Sequence, residues 1–290
     1  MDFRPLKISF ICGLCLAALP LAARAQEAGQ TVQLVQVAAT SSLSETLKIA
    51  DLIAVMRLEG LDYGAQMEKD LFPGEGGGKW AEIIDHIYDP ALMQSRFDAA
   101  FSAELAGDDP DQAEIKAFFG AELGQRILGL EVEARRSLMD DAVKDAATAR
   151  AEDMQADGDP RFAALEEFSQ INDLLEANIA GALNSNLAFF QGMAEIGGLS
   201  DEMTEEDMLT EVWAQEPSVR TETESWLYPY LALAYGPLSD TEMRQYIDFS
   251  KTPAGQKLNT ALFGAFDVLF RDISRDLGRA AAHQMQGQDI

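Results

Sequence analysis

Leu258, Leu262, Phe266, Leu269, Ile273 and Leu277 follow one another at steps of three or four residues, the spacing that places side chains on one face of an α-helix. Phe263 and Phe270 widen that stripe, and an apolar face this long has to be covered by other helices. Thr252-Pro253 starts the helix: the threonine oxygen can accept amides of the first turn, and proline at the first helical position loses no hydrogen bond. Ser239 and Glu242 form a capping box for the helix before it. Near the other end of the chain, Ser42 and Glu45 form a second box, followed by Leu47, Ile49, Leu52, Ile53, Met56 and Leu58 at helical spacing. Asp89-Pro90 and Asp109-Pro110 read as helix starts, and the pattern predicts one long helix from near Ala121 to Ala151. Pro73 through Lys79, with four glycines, reads as a loop. Nothing alternates over strand length; Val32 to Val37 comes nearest and is too polar. The fold class is all-α.

The pattern also repeats. Residues 111–145 and 242–276 align without a gap at an offset of 131, which matches Phe118, Gly124, Gln125, Ala134, Leu138, Asp141 and Asp145 with Phe249, Gly255, Gln256, Ala265, Leu269, Asp272 and Asp276. Arg126 corresponds to Lys257. Ile171-Asn172-Asp173-Leu174-Leu175 echoes Ile49-Ala50-Asp51-Leu52-Ile53 at an offset of 122, which implies nine extra residues in the second copy, in the loop near Gly197 to Glu205. The expected organisation is a signal peptide over 1–25, a flexible lead-in over 26–41, and two related helical units in tandem over 42–156 and 157–290. Asp157-Gly158-Asp159-Pro160 marks the boundary. Phe118, Gly124, Gln125, Phe249, Pro253, Gly255, Gln256 and Lys257 are read as a structural motif, its glycines letting a facing helix approach closely. An anion site at the helix N-terminus with Lys257 or Arg126 is the alternative.

The first residues carry an address. Arg4 and Lys7 precede an uncharged apolar run from Ile8 to Ala23 that ends in Ala23-Arg24-Ala25, the parts of a secretory signal cleaved after Ala25. The run is shorter than the roughly 20 residues a membrane span needs. Both cysteines, Cys12 and Cys15, lie inside it, so the exported chain is expected to have no disulfide and no thiolate. The chain carries 22 Lys and Arg against 49 Asp and Glu, a formal charge of −27. Removing the signal takes away three basic residues and one acid, so the mature chain is more acidic still. Such a surface repels phosphate backbones and anionic lipid heads, which argues against nucleic acid and membrane partners.

The segment Ser239-Asp240-Thr241-Glu242-Met243, followed by Tyr246-Ile247-Asp248-Phe249-Ser250-Lys251-Thr252-Pro253-Ala254-Gly255-Gln256-Lys257, resembles the bacterial domain-of-unknown-function family numbered 2059. The family pattern is an acidic helix start, an aromatic pair, then Ser-Pro-x-Gly-x-Lys opening an apolar helix. The resemblance extends over roughly residues 220–282. It implies a helical fold and a periplasmic address, and it brings no catalytic residues.

Candidate chemistry is sparse. Only His86 and His283 are available, one in each half, with His283 in the C-terminal tail. No nucleophile-elbow pattern accompanies His86, and one histidine without cysteine makes a poor zinc site. Gly74 to Lys79 lacks the first glycine of a phosphate loop, and Trp80 stands where Ser or Thr should bind magnesium. From Asp153, the twelfth position of a calcium loop is Ala164, not glutamate. Asp108, Asp109 and Asp111 read as a helix cap. Acids are too numerous for a glycosidase pair to be picked out. Trp226, Tyr228, Tyr230 and Tyr235 cluster around Pro229, which should kink or split its helix; together they make a candidate groove for a peptide or small ligand, or simply core.

The resulting expectation is a non-enzymatic exported helical protein without cofactor or metal, acting through an envelope protein or a small ligand. A carboxylate-dependent envelope hydrolase and a metal or small-ligand carrier are the alternatives. A buried isolated glutamate in a deep cleft would favour the hydrolase, and three convergent carboxylates the carrier. The signal predicts that N-terminal sequencing of protein released from the periplasm starts at Gln26; an intact Met1 on that material would refute it.

Overall fold

The computed structural model describes residues 43–105, 110–200 and 203–287. The signal run, the lead-in, the Ser42 cap and Asp108-Asp109 lie outside these. The described residues are all-α, about 85% of the model being helical with no strand among them. A single turn at 43–46 leads into α1 (Ile49–Leu71), α2 (Gly77–Ile87), α3 (Pro90–Glu104), α4 (Pro110–Gly120), α5 (Glu122–Ser137) and α6 (Asp141–Ala156). Then follow α7 (Pro160–Ile171), α8 (Leu174–Glu195), α9 (Glu205–Ala214), α10 (Glu216–Tyr235), α11 (Asp240–Ser250) and α12 (Pro253–Met285).

Helix starts fall where their caps put them. The Asp89 carboxylate accepts from the Leu92 amide at 2.9 Å, and Thr252 Oγ1 from the Gly255 amide at 3.0 Å. Ser239 and Glu242 complete a reciprocal box. α12 is 33 residues long, roughly 50 Å at 1.5 Å per residue. Its six stripe residues are all buried, and α8, α3 and α4 pack around it. Gly192 of α8 lies against the Arg275 carbonyl, and Gly278 of α12 against the Phe189 carbonyl. A side chain at either position would strike backbone, so the two helices touch main chain to main chain.

Residues that match at the 131 offset also meet each other. The rings of Phe118 and Phe249 stack at 4.0 Å and 10°. Arg126 pairs with Glu242, and Lys257 with Asp111 at 3.9 Å; a shift of 131 converts one pair into the other. Gln125 donates from Nε2 to the carbonyls of Phe119 (2.7 Å) and Thr46 (2.8 Å), and Gln256 does the same to Ser250 (2.7 Å) and Ile171 (3.2 Å). Two residues beyond Thr46 and Ile171 stand Lys48 and Asp173, the two non-glycine residues with positive φ among the described residues (55° and 49°), each immediately before a long helix. Contacts exchanged in this way have the geometry of an isologous interface within one chain.

Several expectations are corrected. The helix foreseen from Ala121 to Ala151 breaks at Leu138–Asp140, because Asp140 caps a new helix through the amides of Ala142 and Val143. The left-handed residues that precede α1 and α8 are 125 positions apart, not 122. Gly124 and Gly255 face no distant helix: a side chain there would strike the Phe118 or Phe249 carbonyl, so the glycines permit the sharp elbows between α4 and α5 and between α11 and α12. The loop after α1 closes at Gly76, earlier than Lys79. His283 lies in α12, not in a tail. Leu58 is 44% exposed and leaves the stripe. Pro229 does not split α10.

Buried cores of both halves merge into one apolar cluster, with α3 on α12 and α6 on α10. The elbow geometry yields a direct test. Gly255→Leu should lower unfolding free energy by about 1–3 kcal/mol in denaturant titrations, while Lys257→Ala, at the edge of the same elbow, should change it little. An unchanged midpoint for Gly255→Leu would contradict the steric account.

Candidate functional site

The break between α5 and α6 leaves a space that neighbouring helices do not fill. A cleft of about 700 Å³ opens there, between α1 (Met56 to Gln66), the residue after α2 (Tyr88), the α5–α6 turn, Trp226 of α10 and Phe270 of α12. Gly60 of the lining, and Gly64 one turn further along α1, let neighbouring side chains pack close against that helix. Gly64 gives its carbonyl to Trp80 Nε1 at 2.8 Å and admits Ile84; Gly60, one turn earlier, admits the Tyr88 ring. Arg57 fixes the Tyr88 backbone by donating to its carbonyl at 2.9 Å.

Arg135, 5% exposed, donates Nε and Nη2 to Glu59 at 2.8 and 2.7 Å in a two-pronged pair across the cleft. Tyr63 and Tyr88 stand beside this pair. Burial pushes both phenols far above the ordinary range, and nearby Glu59 adds to the effect on Tyr88, so both hydroxyls keep their protons. Tyr88 is 1% exposed, and its hydroxyl has no hydrogen-bond partner among the described residues. A buried polar atom of this kind costs about 1–3 kcal/mol unless something satisfies it. Trp226 is half-buried at the cleft and stacks on buried Tyr230 at 4.7 Å and 10°.

The four aromatics expected to form one groove separate. Trp226 alone lines the cleft. Tyr228 turns to α7 and packs on Phe162 at 5.3 Å. Tyr230 and Tyr235 are core, each 1% exposed. The elbow residues also stay away from the cleft. Phe118 and Phe249 stack on each other, Gln125 and Gln256 hold backbone carbonyls, Pro253 starts α12, and Lys257 pairs with Asp111.

A second buried group escaped the sequence reading. Glu131 of α5 is 4% exposed, and its Oε1 accepts from the hydroxyls of Tyr235 (2.7 Å) and Tyr246 (3.0 Å), while Oε2 has no partner among the described residues. Burial raises its carboxyl to about 7, opposed by the two tyrosine hydrogen bonds. It does not line the cleft. One signal could have revealed both Glu131 and Arg135. At the 131 offset they align with Leu262 and Phe266, so a charge stands where the aligned stretch carries its apolar stripe.

Among the described residues no group of three or more His, Cys, Asp or Glu is placed to hold a metal ion, and no helix is long and apolar enough to cross a membrane. No protein-family model, curated protein or solved structure matches this chain.

Glu131 makes stability depend on pH. Its folded-state pKa lies above its ordinary 4.5, so its contribution is complete below about pH 4.5 and disappears as pH rises through about 7. The loss should reach about 3 kcal/mol by pH 8. Unfolding measured from pH 5 to 8 should show this slope in the wild type and a flatter profile in Glu131→Gln. Parallel profiles for the two proteins would refute the assignment.

Proposed function

We propose that this chain is an exported, non-enzymatic binding protein of the cell envelope, built from a duplicated helical unit, and that the cleft between α1 and the α5–α6 turn is its ligand site. The observation that carries the reading is the construction of that cleft. A fixed Arg135–Glu59 pair, an unsatisfied buried hydroxyl and a stacked tryptophan meet around about 700 Å³ of space. Pockets for small ligands combine an apolar lining with a few placed polar groups in this way. The export signal supports the envelope address, as does the resemblance of residues 220–282 to exported helical proteins. The exchanged contacts at the two elbows support the duplication.

The absence of a reactive set in the sequence supports the non-enzymatic part: the only histidines are His86 in α2 and His283 in α12, and both cysteines fall in the signal run. A buried isolated glutamate in a deep cleft would have favoured the hydrolase alternative. Glu131 is buried but stands outside the cleft lining, tied to two tyrosines.

The test is a fragment screen by saturation-transfer NMR on the mature protein, with library members of either charge and of none. At least one fragment should bind the wild type and lose its signal in Met139→Trp. Met139 lines the cleft and is 43% exposed, so a larger side chain there occupies the space without disturbing the core. A library whose binders all persist in Met139→Trp, or that yields no binder, would overturn the cleft as ligand site.

A further inference from the structure

The cleft's polar groups are unevenly matched, and the mismatch selects a ligand charge. Of its two basic residues, Arg135 is committed to Glu59 through Nε and Nη2. Lys144, exposed on the first turn of α6, is the remaining cation of the lining. Against it stand Asp62 and Asp141, both exposed, and neither has an ion pair or side-chain hydrogen bond among the described residues. Glu59 keeps lone pairs beyond those used by Arg135, and the buried Tyr88 hydroxyl is unpartnered beside it. The exposed charges of the lining are therefore two acids against one base. Tyr63, Tyr88 and Trp226 contribute aromatic rings to the lining, and aromatic faces attract cations. The chain as a whole carries −27, a field that concentrates cations and repels anions.

We propose that the cleft takes an organic amine in its protonated form. Its ammonium group is held by Asp62, Asp141 and the Tyr88 hydroxyl, and its apolar or aromatic body lies against Trp226, Met56 and Phe270. This assignment rests on the cleft being the ligand site. An ammonium N–H donates to the Tyr88 oxygen and gives it one hydrogen-bond partner, which no apolar ligand could do. A carboxylate ligand would find one exposed cation, Lys144, against two exposed acids.

The experiment compares three probes of similar shape by titration calorimetry on the mature protein: 2-phenylethylamine, 2-phenylethanol and 3-phenylpropionate. The amine should bind at neutral pH, more weakly as salt is raised, and the other two at least tenfold more weakly. Asp62→Asn with Asp141→Asn should weaken the amine about tenfold, and Met139→Trp should abolish its binding. Phenylpropionate or phenylethanol binding as tightly as the amine would overturn the ammonium assignment while leaving the cleft as a ligand site. Amine binding that survives Met139→Trp would place it elsewhere and overturn the proposal. Failure of all three probes would also overturn it. The fragment screen, which includes acids and neutral molecules, decides separately whether the cleft binds anything.

Discussion

The stacked pair Phe118–Phe249 is the contact on which the arrangement of helices depends. Each ring lies near the end of a short helix that turns sharply into the next, and each turn requires a glycine, Gly124 or Gly255, because the preceding carbonyl occupies the place of a side chain. The same turns hold Gln125 and Gln256, whose amides reach back to the carbonyls of Thr46 and Ile171. Those carbonyls sit two residues before the left-handed Lys48 and Asp173, which send α1 and α8 on their way. A left-handed residue other than glycine costs roughly 1–2 kcal/mol, and the glutamine bonds help to offset it. Stacking, elbow and helix launch thus form one connected set of constraints, present once in each half and joined where the two rings meet.

The cleft opens where the sequence correspondence at the 131 offset is no longer matched by helix structure. α12 runs straight through Leu269–Arg271, whereas the matching stretch of the first half breaks at Leu138–Asp140. The aligned positions Met139 and Phe270 then face the same cleft. On the α8 side, glycines bring two backbones into contact and leave no room. On the α1 side, Gly60 admits the ring of Tyr88, the residue after α2, and Gly64 admits Ile84 of α2, and the space toward α5 stays open. Glu131 and Arg135 also depart from that correspondence, since the aligned positions are Leu262 and Phe266.

Much of the frame was legible because it is written in local chemistry. Caps at Asp89, Ser239 and Thr252 need only their own first turn to act, and the stripe of α12 needs only periodicity. The break at Asp140 was missed because aspartate suits both a helix surface and a cap, and its neighbours gave no proline or glycine to decide between them. The cleft was missed because its walls come from five helices and the residue after α2, and no linear pattern records that meeting. Trp226 alone of the expected aromatics reached it, since side chains around a helix point in different directions however close they stand in sequence. Arg135 and Glu59 are 76 residues apart, a separation at which pairing follows from the fold and not from spacing.

The main-chain contact between α8 and α12 has a mechanical consequence. With Gly192 on the Arg275 carbonyl and Gly278 on the Phe189 carbonyl, neither helix can roll or slide without backbone striking backbone. That pair behaves as a stiff beam. On the reading of the cleft as a ligand site, the compliance that admits a guest falls to the opposite bank, where α5 and α6 are joined by a three-residue turn and α1 faces them across open space. In that proposal the beam carries the load and the turn serves as the hinge.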